Sequence, residues 1–153
     1  MKKILIILLI LSIILVVGVY SVYRYRTNVY QIQKQNREYE QYQNSQMLGS
    51  ELISLINKTV DVNTDLGIEK DQDGLFIDNK GYFVDNGENS IKINVEFKYK
   101  NDTKTISMEE IASTGAESFV KVYSTANFKC TKIEYHEKTH NVKNVTFEEV
   151  SDI

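Results

Sequence analysis

From Ile4 to Tyr23 the chain runs twenty residues without a charge, and only Gly18, two serines and two tyrosines interrupt the aliphatic side chains. A helix of that length rises about 30 Å, the thickness of a bilayer's hydrocarbon core. A small water-soluble domain has no use for a helix that is apolar on every face. The run therefore predicts a transmembrane helix over residues 4–23, preceded by a short basic N-terminus, residues 1–3. Tyr20, Tyr23 and Tyr25 fall at the level of an interfacial aromatic belt, and Arg24 and Arg26 close the span.

A cleaved signal peptide is the rival reading. Secretory cores run roughly 7–15 residues and end at a small-x-small site. Here the run is longer, and the best triplet, Val19-Tyr20-Ser21, places a bulky valine at its start. No cysteine follows the run to carry a lipid, so a retained anchor is the expectation. Orientation is balanced between two signals. Arg24, Arg26, Lys34 and Arg37 counted literally favour a cytoplasmic C-terminal part. Lys2 and Lys3 before a long hydrophobic run have the layout of a signal-anchor, which leaves the C-terminal part outside. The second is the reading adopted.

Residues 24–48 contain no Gly or Pro and are rich in Gln, Glu, Lys and Arg, all good helix formers. They read as a helical stalk that continues the membrane helix. Val29, Ile32, Tyr39 and Tyr42 form a thin apolar stripe interrupted by Asn36, which suits either a solvated spacer or self-association. Leu48-Gly49-Ser50 marks a joint, with Gly49 ending one helix and Ser50 capping the next. Leu52, Ile53, Leu55, Ile56 and Val60 then recur at the spacing of a buried helical face.

Residues 49–153 read as one globular α+β domain. Asn79-Lys80-Gly81 between Leu75-Phe76-Ile77 and Tyr82-Phe83-Val84 reads as a hairpin. Ile91 to Tyr99 alternates apolar and polar over nine positions, the mark of a strand with one buried face. Asn101-Asp102 turns into a second strand at Lys104-Thr105-Ile106. Ser107-Met108-Glu109-Glu110 is a capping box. It opens a helix whose inner face carries Met108, Ile111, Ala112, Gly115, Phe119 and Val122, with Gly115 admitting the sheet at close range. Phe128–Lys138 and Val142–Val150 form a last hairpin, whose alternation slips between Cys130 and Ile133 as at a bulge. Strands and helices without βαβ spacing predict a small antiparallel sheet with helices packed on one face.

Beyond residue 23 there are 16 basic and 21 acidic residues, a net −5. Such a domain lacks the basic surface that nucleic-acid binding requires, so no nucleic-acid partner is expected. One cysteine, Cys130, allows no internal disulfide. Glu69, Asp71 and Asp73 can be set on the first, third and fifth positions of a calcium loop. The twelfth position, which needs a bidentate Glu, is then Lys80. A plain acidic turn is the better reading. Cys130, His136 and His140, completed by Glu134 or Glu137, make a thin metal or nucleophile set. A buried Cys with two exposed turn histidines explains the same residues. Glu109-Glu110 and Glu148-Glu149 read as a helix start and solvated faces. No phosphate loop, nucleophile elbow or paired-carboxylate arrangement stands out. No catalytic, cofactor-binding or metal-ligating residue is assigned, no cofactor is implied, and an enzyme is not expected.

At Leu48-Gly-Ser-Glu-Leu-Ile-Ser-Leu-Ile-Asn-Lys58 and Phe128-Lys-Cys-Thr-Lys-Ile-Glu-Tyr-His136 the chain resembles uncharacterised single-pass, membrane-anchored proteins of low-GC Gram-positive bacteria. The resemblance covers most of its length and implies a location in the envelope without a mechanism. The layout is also similar to type IV pilin-like subunits, whose hydrophobic helix runs into a stem that carries a β-rich head. Those subunits show a Gly before the processing site and a Glu soon after it, and Lys3-Ile4-Leu5-Ile6 offers neither. The expectation is a non-enzymatic, membrane-anchored envelope protein, a structural or accessory subunit of a surface or secretion assembly. Its partners would be the lipid bilayer through residues 4–23 and a protein, or another copy, through the stalk. The alternative is a membrane-tethered binding or sensory module.

Overall fold

The computed structural model describes residues 2–77, 89–99 and 102–150. The hairpin expected around Asn79-Lys80-Gly81 lies outside them. Two compact units emerge, residues 1–34 and 35–153. The first belongs to helix α1 (Lys2–Glu40), the one helix among the described residues long and apolar enough to cross a bilayer. Its aliphatic side chains are exposed on all sides, from 50% at Ile10 to 67% at Leu15.

The second unit is α+β, as the sequence predicts. After the last turns of α1 come β1 (Gln46–Leu48), α2 (Gly49–Asp65), β2 (Lys92–Tyr99) and β3 (Asp102–Ser107). Then follow α3 (Met108–Thr114), α4 (Ala116–Tyr123), β4 (Asn127–Tyr135) and β5 (Val142–Val150). The five strands form one sheet in the order β1-β4-β5-β2-β3. Three of the pairings are antiparallel; the central pair, β2 with β5, is parallel, with Ile93 opposite Val145 and Val95 opposite Phe147. The sheet is therefore mixed. Alternation shows which face of a strand is buried but not which strand lies beside it.

The strand pattern is as read: Ile91, Ile93, Val95 and Phe97 are buried, while Lys92, Asn94 and Glu96 between them are partly exposed. The helices cover the apolar face. Phe97 and Phe128 from the sheet meet Phe119 and Tyr123 of α4, with ring centroids 4.8–6.4 Å apart. The slip after Cys130 is a break in the β4–β5 register between Cys130 and Lys132. The opposite face is polar. Lys98 meets Glu148 at 2.7 Å, and Asn94 meets Asn144 at 3.1 Å across the parallel pair.

Two glycines exchange the roles expected of them. Gly49 does not end a helix; it is the first residue of α2, and a Cβ there would overlap the Tyr123 carbonyl. It provides the close approach between α2 and the end of α4. Ser50 does not cap that helix with its side chain. The N–H groups of Gly49 and Ser50 donate to the carbonyls of Ala126 and Ser124, at 2.9 and 3.2 Å. The Glu51 carboxylate accepts from Leu48 N–H at 3.1 Å. Helix ends need partners for their free N–H groups, and neighbouring backbone serves as well as a cap.

Gly115, by contrast, has open space around the position of a Cβ. It sits at φ 101° and divides the expected helix into α3 and α4. L-residues rarely take that conformation. The break also resets the helical phase, so Val122, expected inside, is 67% exposed. At the start of α3 the serine half of the expected capping box is in place, with Ser107 Oγ accepting from Glu110 N–H at 3.1 Å.

The two sites separate in a mutational test. Gly49→Ala should destabilise the domain by about 2–3 kcal/mol, because backbone must move to admit the methyl group. Gly115→Ala should cost about 1–2 kcal/mol through backbone conformation alone. Denaturant unfolding of the full chain in mild detergent, followed by near-ultraviolet circular dichroism, reads both.

Candidate functional site

The residues read as stalk divide. Those from Gln35 onward belong to the compact unit, because Asn36, Tyr39 and Met47 are buried in it. Asn36, an apparent interruption of the stripe, is one of its principal contacts. Its Nδ2 donates to the His140 carbonyl at 2.8 Å, and its Oδ1 accepts from Val142 N–H at 2.9 Å. One turn on, the Tyr39 hydroxyl meets Thr59 Oγ1 at 3.1 Å. Thr59 already donates to the Leu55 carbonyl at 2.8 Å, so the phenol is the donor. Tyr135 donates to Glu40 at 2.8 Å, and Lys58 pairs with Glu38 at 2.8 Å.

Asn63 of α2 repeats the Asn36 arrangement. Its Nδ2 donates to the Ile91 carbonyl at 2.7 Å, and its Oδ1 accepts from Ile91 N–H at 2.9 Å. A side-chain amide has the donor and acceptor of a peptide group, so each Asn acts as a short piece of neighbouring strand. The two clamps hold the starts of β2 and β5, the parallel pair. Asn141 Nδ2 donates to Asn89 Oδ1 at 2.6 Å and ties the lead-in segments together. Sequence reasoning missed both clamps. The available signal was an Asn at helical spacing within a stripe of Ile, Tyr and Leu.

Of the residues weighed as metal ligands or nucleophiles, Glu134, His136 and Glu137 line one recess of about 320 Å³, and Cys130 and His140 lie outside its lining. Cys130 is buried under the helices, and burial pushes its thiol above the usual range. A raised thiol is a poor nucleophile at neutral pH. His136 is buried rather than exposed, which corrects the expectation of two exposed turn histidines. Its Nε2 lies 2.7 Å from the Ser90 carbonyl, which can only accept, so that nitrogen carries the proton. His140 is exposed, in a left-handed backbone conformation at φ 58°. Glu134 lies on the polar face, where hydrogen bonds from Lys132 and Asn144 hold its carboxyl below the usual range. Among the described residues no three His, Cys, Asp or Glu side chains form a group fit to hold a metal ion.

The acidic turn closes on itself. Asp71 Oδ1 accepts from the N–H groups of Asp73 and Leu75, both at 2.9 Å, and Asp71 N–H donates to the Leu75 carbonyl. That oxygen is committed to the turn. Glu109, read as part of a solvated helix start, is buried instead and accepts from Phe76 N–H at 3.3 Å.

A surface recess of about 550 Å³ lies between residues 41–47 and α2. Tyr42, Met47 and Leu55 give it an apolar floor. Ser50, Ser54 and Lys58, spaced four apart along α2, give it a polar wall. A shallow, mixed recess of this kind suits a polypeptide or a polar ligand better than a buried reaction. Compared with known proteins, the chain matches no family profile, no curated protein and no solved structure.

Two outcomes follow from the clamp. Asn36→Ala and Asn63→Ala should each destabilise the domain by about 1–3 kcal/mol, since each strands buried backbone groups; thermal unfolding of the full chain measures it. Burial also raises the Tyr39 phenol from 10.0 to about 12. A group raised in the folded state stabilises it fully below the unfolded value and loses that contribution as pH rises through the folded value. Stability should hold to about pH 10 and fall between pH 10 and about 12, with Tyr39→Phe flattening part of that decline.

Proposed function

We propose that this chain is a non-enzymatic, membrane-anchored protein of a bacterial envelope, a structural or accessory subunit of a surface or secretion assembly. One observation carries the reading. A bilayer-length apolar helix, exposed on every face, belongs to the same helical element whose last turns are built into the core of a domain. A helix like that is a stable object only when lipid or other apolar helices surround it.

In this reading residues 4–23 hold the protein in the membrane, the domain lies on the extracytoplasmic side, and its surface meets a protein partner. The recess beside α2 favours a second reading, a tethered module that recognises a ligand or another membrane protein.

Topology is the first test. Protease added to wall-stripped cells should remove the domain and leave an anchor fragment in the membrane. Full protection would place the domain inside and sink the envelope reading; free protein in the medium would mean a cleaved leader. Large complexes that survive mild detergent would then favour the subunit. A monomer whose partner is lost on Ser54→Trp would favour the tethered module.

A further inference from the structure

The first 37 residues hold six basic residues and no acidic one, while residues 38–153 hold 12 basic and 21 acidic residues, a net −9. The chain is thus split by charge along its length, far beyond what its total of −3 suggests. Within the first unit the charges are also ordered. Tyr23, Arg26, Tyr30 and Lys34 follow one another three or four residues apart and so share one face of α1. All four are exposed, Tyr23 by 66% and Tyr30 by 65%. Among the described residues neither Arg26 nor Lys34 has an ion-pair partner.

Lipid headgroups account for only part of this face. The polar layer of a bilayer adds about 5–7 Å on each side of the hydrocarbon core. Along a helix Tyr30 stands about 10 Å and Lys34 about 16 Å beyond Tyr23. Screening at physiological salt leaves little attraction beyond about 8 Å. A second α1 presenting the same face is disfavoured as well, because that contact sets cation against cation. The polyanion supplied by this chain itself is its domain, residues 35–153, with 13 basic and 21 acidic residues, a net −8.

We infer that the Tyr23-Arg26-Tyr30-Lys34 face of α1 docks against the acidic domain of a second copy of this chain. The inference rests on the subunit reading above and names its partner. A contact between two different surfaces of identical chains closes at a dimer when two copies exchange it reciprocally about a two-fold axis, and otherwise repeats into a ring or an open array. Tyrosines beside the cations provide contact area at low entropic cost, and the charges set the orientation.

The test uses the full chain in nanodiscs or detergent without anionic lipid, followed by sedimentation velocity at low and high salt. Dimers or larger species should grow with protein concentration at low salt and dissociate at high salt. Arg26→Glu with Lys34→Glu should weaken association about tenfold or more, since two attractive contacts become repulsive. Arg26→Lys with Lys34→Arg should leave it unchanged. Both pairs lie on an exposed face, so folding is not at stake. Association indifferent to salt and to the reversal would overturn this contact and leave the subunit reading intact. A monomer under every condition would overturn both. Association that requires anionic lipid would overturn the head-to-helix contact.

Discussion

Two buried side-chain amides hold the centre of this domain. β2 and β5 run parallel, and parallel strands cannot be joined by a tight hairpin that would define where each begins. Their starts must be fixed by something else. Asn63 donates to and accepts from Ile91, while Asn36 donates to the His140 carbonyl and accepts from Val142 N–H. Both amides come from helices, so the clamps also fix where α1 and α2 meet the sheet. A buried backbone group left without a partner costs about 1–3 kcal/mol, comparable to a large share of a small domain's stability. Register, helix docking and strand order converge on four atoms of two side chains.

What the sequence disclosed follows from how local each signal is. The apolar run of α1, the alternation from Ile91 to Lys98, the Ser107 cap and the slip after Cys130 depend on neighbours in the chain, and all are present. The pairing of β2 with β5 depends on residues about fifty positions apart and left no local trace. Gly49 and Gly115 show the same division. Glycine signals that a side chain is not tolerated, but only the fold tells whether crowding or backbone conformation is the reason. Asn36 was misread because a polar residue in a stripe looks like a gap until its partners, more than a hundred residues away, are in view.

The candidate functional residues were less legible than the fold. Cys130, His136 and His140 fall within eleven positions of sequence, which invites a common role. The fold places one under the helices, one behind Ser90 and one in solvent. The groups that matter for the proposed role are ordinary surface residues whose meaning lies in arrangement. Arg26 and Lys34 are unremarkable individually; the helical period sets them on one face beside Tyr23 and Tyr30.

Because Asn36, Tyr39 and Met47 are part of the core, the domain does not end where its first β-strand begins. A cut made after residue 40 would remove the amide that clamps Val142 and the phenol that fills the space beside Thr59. A cut within residues 24–34 would spare both. The two cuts therefore give products of different stability. A chain that keeps the final turns of α1 retains both contacts, and one trimmed a dozen residues further has lost them.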